Sequence, residues 1–215
     1  QAAKYVNTEY LLILNADCLI DKISIQALIN TIEKYRNCGL VSPTTYDDEG
    51  NLTYNSGYFP ERGIKDEPVL IDGDICVDTV LGSSMLISKK LFQELGGFDE
   101  NFFLYFSDDE ICKRINKKSL SVIQSFNSKA IHIHGISKVG NIVKKIFLRE
   151  FNYTFDEMYY YYKQKIENNV FSRNRKKIFN YLFKFFINII FFKVKKSTLY
   201  FARFLAIFKF YKFIR

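Results

Sequence analysis

"YLLILNADCLIDKISIQALINTIEKYRNCGLVSPTTY", residues 10–46, decides the fold class. It opens on a continuous apolar run, Tyr10 to Leu14, that stops at Asn15, Ala16 and Asp17. That is the pattern of a central strand covered on both faces, with a polar end opening into a cleft. Ile25, Leu28, Ile29, Ile32 and Tyr35 then recur at helical spacing behind the acid Asp21, and Gly39 follows. The spacing predicts a helix of about 15 residues. "GLVSPTTY" predicts a second strand, so strand, helix and strand place the chain in the α/β class.

Outward from this unit, residues 46–76 are rich in turn formers ("DDEGN", "NSG", "PERG", "IDGD") and predict an excursion from the core. "TVLGSSMLIS" (79–88) predicts a strand, and "KKLFQELGG" (89–97) a short helix closed by Gly96 and Gly97. "SVIQSF" and "AIHIHG" predict two more short strands, and from residue 138 the pattern is helical to the end. The expected division is a mixed α/β body over 1–138, a helical connection over 139–170 and a basic aromatic segment over 171–215.

Composition agrees with a folded chain: 48% hydrophobic, 17% aromatic and three prolines in 215 residues. The net charge of +8 hides a segregation, since residues 1–110 are net −11 and residues 111–215 net +19. An acidic region suited to cations thus precedes a basic region suited to an anionic surface. Cys18, Cys38, Cys76 and Cys112 lack any metal-finger spacing and are expected as small buried hydrophobes in a reducing compartment, the cytoplasm. "QAAKYVNTEY" has no signal-peptide pattern, and a segment is expected to precede it.

The second informative stretch is "GGFDENFFLYFSDDEICKRI", residues 96–115. Ser107 and Glu110 form a capping box at a helix start. Asp109 with Lys113, and Glu110 with Arg114, stand at i,i+4 with the acid first, the favourable order. Asp108 instead shares its face with Ile111, Cys112 and Ile115, the inward stripe. A carboxylate there is paired, holds a cation or has a raised pKa. Two readings stand at this point: a helix-capping or ion-paired acid, and a general base.

Three segments in order resemble family 2 inverting glycosyltransferases of the GT-A fold, especially their bacterial rhamnosyltransferase-like branch: "YLLILNADCLI", "GSSMLISKKLFQELGGFDENFFLYFSDDEICKR" and "AIHIHGISK". The resemblance spans roughly residues 1–138 and implies a GT-A mixed sheet lacking its first strands. It implies a metal-dependent enzyme moving a sugar, rhamnose among the candidates, from a nucleotide-diphosphate donor to a saccharide carried on a lipid, in cell-surface polysaccharide synthesis. By the same resemblance Asp108 is the catalytic base; Asp17 and His132, with His134 as alternate, face Mn²⁺ or Mg²⁺; Asn15 and Ser137 face the donor; and Gly82, Met85, Gly97, Phe98 and Asp99 lie on the acceptor side. The family's early nucleotide-binding strands have no counterpart here, so these residues alone are expected to be inactive.

From Phe171 to Arg215 there are twelve Lys or Arg, no acid and fifteen Phe or Tyr. No apolar run approaches the ~20 residues that span a bilayer. Lys177, Asn180, Lys184 and Asn188 form a narrow polar stripe on an otherwise apolar helix, which fits helices lying on an anionic membrane surface. Clusters such as "FKFF" are too apolar for a stacking platform, so no nucleic-acid partner is expected. A helical subdomain packing on the body or a partner, a membrane-inserted hairpin, and a non-catalytic membrane-binding or scaffold fragment of the same fold are the alternatives.

Overall fold

The alternation legible at residues 10–46 persists through the first part of the computed structural model, which describes residues 2–65, 67–133 and 140–215. The chain divides into two units, Gln1–Asp99 with Ser107–Ser137, and Glu100–Phe106 with Lys138–Arg215.

The first unit contains β1 (Tyr10–Leu14), β2 (Cys18–Ile20), α1 (Lys22–Lys34), β3 (Cys38–Tyr46), β4 (Ser56–Gly57), β5 (Ile75–Val77), β6 (Thr79–Val80), β7 (Ser84–Ser88), α2 (Lys89–Glu94), α3 (Ser107–Lys117) and β8 (Ser121–His132). Its main sheet is mixed, in the order β1-β7-β3-β8-β2, with β5 also paired to β8. Only β3 and β8 run parallel. Helix α1 begins at Asp21, whose carboxylate accepts the Ser24 N–H at 2.7 Å. Leu28 and Ile32 pack on Val41 and Leu86, one face of the sheet. Ile111, Cys112 and Ile115 of α3 pack with Leu40, Met85, Ile87 and Val122 on the other. The inner strands β3 and β7 are therefore covered on both sides, which is why their sequences read as apolar runs. Strand β1, expected as a central strand, instead stands at the end of the sheet order beside β7 and leaves Leu14 exposed. Gly39 lies where α3 crosses close: an added Cβ would stand 2.7 Å from Ile115 Cγ2.

Three expected strands change shape. "SVIQSF" and the first three residues of "AIHIHG" belong to one twelve-residue strand, β8, in which Ser125 pairs with Pro43 and Lys129 with Thr44. Phe126, Asn127 and Ser128 bulge out of the ladder rather than ending it, and Asp74 accepts the Phe126 N–H at 2.9 Å. "TVLGSSMLIS" is broken, since residues 81–83 separate β6 from β7. The cysteines also depart from expectation: Cys18 and Cys112 are buried, but Cys38 is half-buried and Cys76 exposed.

The second unit contains α4 (Ile142–Lys163), α5 (Glu167–Ile190) and α6 (Val194–Phe213). Within the stretch expected as a helical connection, α4 packs on α6. Phe155 meets Phe210 edge-on at 6.1 Å, Tyr159 meets Phe213 at 5.6 Å, and Arg203 of α6 holds the Glu150 carboxylate of α4 at 2.6 Å. Residues 100–106 join this core through Phe102, packed on Tyr159 at 4.8 Å, and Phe106, 5.6 Å from Tyr160. Asp156 is wholly buried. Its carboxylate accepts the backbone N–H groups of Phe103, Leu104 and Tyr105 at 3.1, 3.0 and 2.9 Å. These bonds hold a turn that ends on Phe106, a non-glycine residue at φ 61°. Replacing Asp156 by Ala orphans those donors and should cost about 3 kcal/mol of stability. Chemical denaturation measures this, and limited proteolysis should show new cleavage within residues 100–106.

Candidate active site

The break between β6 and β7 organises the polar end of the sheet. Freed from the ladder, the Gly82 N–H donates to Asp108 Oδ2 at 2.8 Å, while Asp108 Oδ1 accepts the Asp109 N–H at 3.1 Å. The next residue, Ser83, presents its carbonyl to the Asn15 N–H at the end of β1, at 2.9 Å. The Asn15 carbonyl accepts the Cys18 N–H at 3.0 Å and so closes the turn that carries Asp17. Cys18 pairs with His132 across the β2–β8 ladder, and His132 Nε2 stands 3.3 Å from Asp17 Oδ1. Asn15, Asp17, Gly82, Asp108 and His132 are thus linked by one short path of backbone bonds and neighbouring residues.

Asp108 lies on the inward face of α3, above Ile111, Cys112 and Ile115, which are fully buried as their spacing predicts. Protein crowds its carboxyl without sealing it from solvent. Burial raises its pKa from the ordinary carboxylate range, and the N–H groups of Gly82, Asp108 and Asp109 offset only part of the effect. An added Cβ at Gly82 would stand 3.5 Å from Asp108 Oδ2, so the carboxylate rests against bare backbone. This arrangement can accept a proton from a hydroxyl brought to the free edge of the carboxylate.

The neighbouring acids have other tasks. Glu110 is fully buried, and both of its oxygens accept from Arg114 Nε at 2.9 Å, as the i,i+4 spacing predicts. Lys113 does not join Asp109: it pairs with Glu61 and lies 3.9 Å from the centre of the Phe59 ring. Asp109 accepts from Thr79 Oγ1 at 2.8 Å. Helix α3 is therefore anchored to the excursion and to β6 through side chains separated from it by many residues. Short-range spacing contains no signal for such partners.

The Asp17 side chain is 35% exposed, and an oxygen beside an imidazole nitrogen suits Mn²⁺ or Mg²⁺, which retain waters and phosphate oxygens as further ligands. Among the described residues no group of three or more His, Cys, Asp or Glu is placed to hold a metal. His134 and Ser137 lie outside the described residues. Met85 is wholly buried beneath the site. Gly96 and Gly97, at φ 78° and 74°, end α2, and the Gly97 N–H bonds to the Phe92 carbonyl at 2.9 Å. Phe98 packs edge-on to Phe92 at 5.6 Å, and Asp99 follows, half-buried. Among the described residues, none of the site residues expected from the sequence lines the cavity of about 810 Å³ between the excursion and the end of α3, although Cys76 does.

No protein-family model matches the chain. It is 33% identical over 134 residues to the low-salt glycan biosynthesis hexosyltransferase Agl10 of Haloferax volcanii, covering 59% of this chain and 43% of the relative. It is 26% identical over 156 residues to the O-antigen biosynthesis protein RfbC of Myxococcus xanthus, covering 66% of this chain and 12% of the relative. The chain thus spans less than half the length of either relative. GalNAc-T7, crystallised with UDP, GalNAc and Mn²⁺, superposes on 74% of this chain and 35% of its own, with a TM-score of 0.51 and 16% identity. The fold is that of the GT-A glycosyltransferases.

The raised pKa of Asp108 has a definite sign. A carboxyl whose folded pKa exceeds its unfolded value destabilises the fold once ionised, so the penalty is absent below the ordinary carboxylate range and grows as pH rises through the folded value. Asp108→Asn should therefore raise the melting temperature at neutral pH, with the gain shrinking towards zero in acid. Thermal melts across pH measure the difference.

Proposed function

We propose that this chain belongs to a metal-dependent inverting glycosyltransferase of family 2, with Asp108 as its base. The Gly82–Asp108 contact carries the proposal: a carboxylate of raised pKa is held by backbone at the polar end of a GT-A sheet. Asp108 accepts the proton of a saccharide hydroxyl as that oxygen bonds to the anomeric carbon of the donor. The bond from that carbon to the diphosphate breaks on the opposite face, the nucleoside diphosphate leaves, and one displacement inverts the configuration. Asp17 and His132 would hold Mn²⁺ or Mg²⁺, which supplies positive charge for the leaving diphosphate. Asn15 faces the donor, Gly82 and the 97–99 segment face the acceptor, and rhamnose is the first donor to test. In the whole enzyme, Asp108→Asn should lower turnover by about 10²–10⁴-fold while calorimetry finds donor binding unchanged. Asp17→Ala should abolish Mn²⁺-dependent binding of the nucleotide sugar. Undiminished turnover in the first variant overturns the base; absent nucleotide-sugar binding in the parent leaves a non-catalytic scaffold.

The acceptor in this reading is lipid-linked, and the chain sits peripherally on the cytoplasmic face of the cell membrane. The observation in support is the outer face of α5. Phe179, Phe183, Phe186 and Ile190, at helical spacing, are all exposed, whereas Asn188 of the expected polar stripe is buried with its side chain bonded to the Lys184 carbonyl. At the turn into α6, Phe192 is 91% exposed and held at φ 53°, a conformation glycine would adopt without strain. Lys193, Lys195 and Lys196 flank it, suited to anionic headgroups. Among the described residues no helix is long and apolar enough to cross a membrane. Co-sedimentation should find binding to anionic vesicles that weakens in salt, and Phe186→Glu with Phe192→Glu should remove most of it.

A further inference from the structure

Beside that exposed face the second unit carries a groove of about 630 Å³ among α4, α5 and α6. Its walls are apolar and preformed: Phe185 stacks on Phe201 at 5.0 Å, Phe147 lies 6.4 Å from Phe201, and Ile189 adds an aliphatic edge. The rim is polar and cationic. Lys144 lines it, and the Ser197 and Thr198 hydroxyls there are turned back onto the Val194 carbonyl at 2.9 Å. No acid stands in the first turn of α4 or α6, and none follows Glu167 in the sequence. Ile189, a wall residue, is itself half-exposed and follows Phe186 on α5, so the groove is continuous with the apolar face turned to solvent.

These features describe a site for an amphiphile with a long apolar chain and an anionic head. At about 30 Å³ per water-sized group the groove holds roughly twenty such groups, one chain rather than two. We infer that the groove binds the apolar chain of a single-chain lipid phosphate, with Lys144 at the phosphate. The inference rests on the membrane reading and deepens it, because a lipid carrier of the acceptor has this chemistry. Apolar walls supply most of the affinity through burial of the chain. The cationic rim sets the direction in which the chain enters.

The chain contains no tryptophan, so one introduced indole reports on the groove alone. Phe147→Trp places it in the wall; Leu148→Trp, at a half-exposed lining position, serves as a second reporter that disturbs packing less. The probe is a brominated single-chain alkyl phosphate held below its micelle concentration. The expected result is saturable loss of most of the emission at equimolar probe, reversed by an unbrominated polyprenyl phosphate. Lys144→Glu should weaken the probe about tenfold, the effect of losing one charge-assisted contact. Absence of quenching in both reporters overturns the inference. So does equal displacement by inorganic phosphate, which marks a free-anion site, or tighter binding of a brominated two-chain phospholipid. Quenching lost with vesicle binding intact sinks the groove alone; vesicle binding lost with quenching intact sinks the membrane reading alone.

Discussion

The contact between the Gly82 N–H and the Asp108 carboxylate is the constraint around which the first unit is arranged. It requires the β6–β7 strand to break, because a backbone N–H committed to a ladder cannot serve a side chain. It requires α3 to lie close on the sheet, which Gly39 permits by having no Cβ where Ile115 crosses. It also puts a charge-bearing group where desolvation works against ionisation, a cost that a fold retains where the group has a use. Through Ser83, the same short break fixes the end of β1 and with it the turn carrying Asp17.

The second unit is built on different physics. Its core is aromatic, with edge-on rings from α4 and α6, and among the described residues its two buried carboxylates are each satisfied: Glu150 by Arg149 and Arg203, Asp156 by backbone donors. For Glu150, burial pushes the pKa up, but the two guanidinium groups outweigh it and the carboxyl ends below its ordinary value. A helical subdomain with charges so well paired inside, yet with phenylalanines left outside, has spent its polar groups on its own stability. What remains on the outer face of α5 is apolar surface with lysines at one end.

Much of the fold was legible because its signals are local. The 10–46 alternation, the Asp21 cap, the inward stripe of α3 and the Glu110–Arg114 pair all follow from spacings of a few residues. The misreadings share one cause. The bulge in β8, the exposure of Cys76, the pairing of Lys113 with Glu61 and the turning-in of Asn188 depend on which distant segment lies alongside. The Asp156 clamp is of the same kind, joining residues more than 50 positions apart.

By itself, the sequence determined the class of fold, the charge segregation and the acid in "SDDE" that shares the stripe of Ile111, Cys112 and Ile115, because periodicity and composition act within a turn or a strand. Only the tertiary structure decided that this acid meets a bare backbone N–H, that Asp17 stands beside His132, and that the outer face of α5 is aromatic rather than polar. Each of those outcomes depends on long-range packing, where burial of a whole face outweighs any local preference.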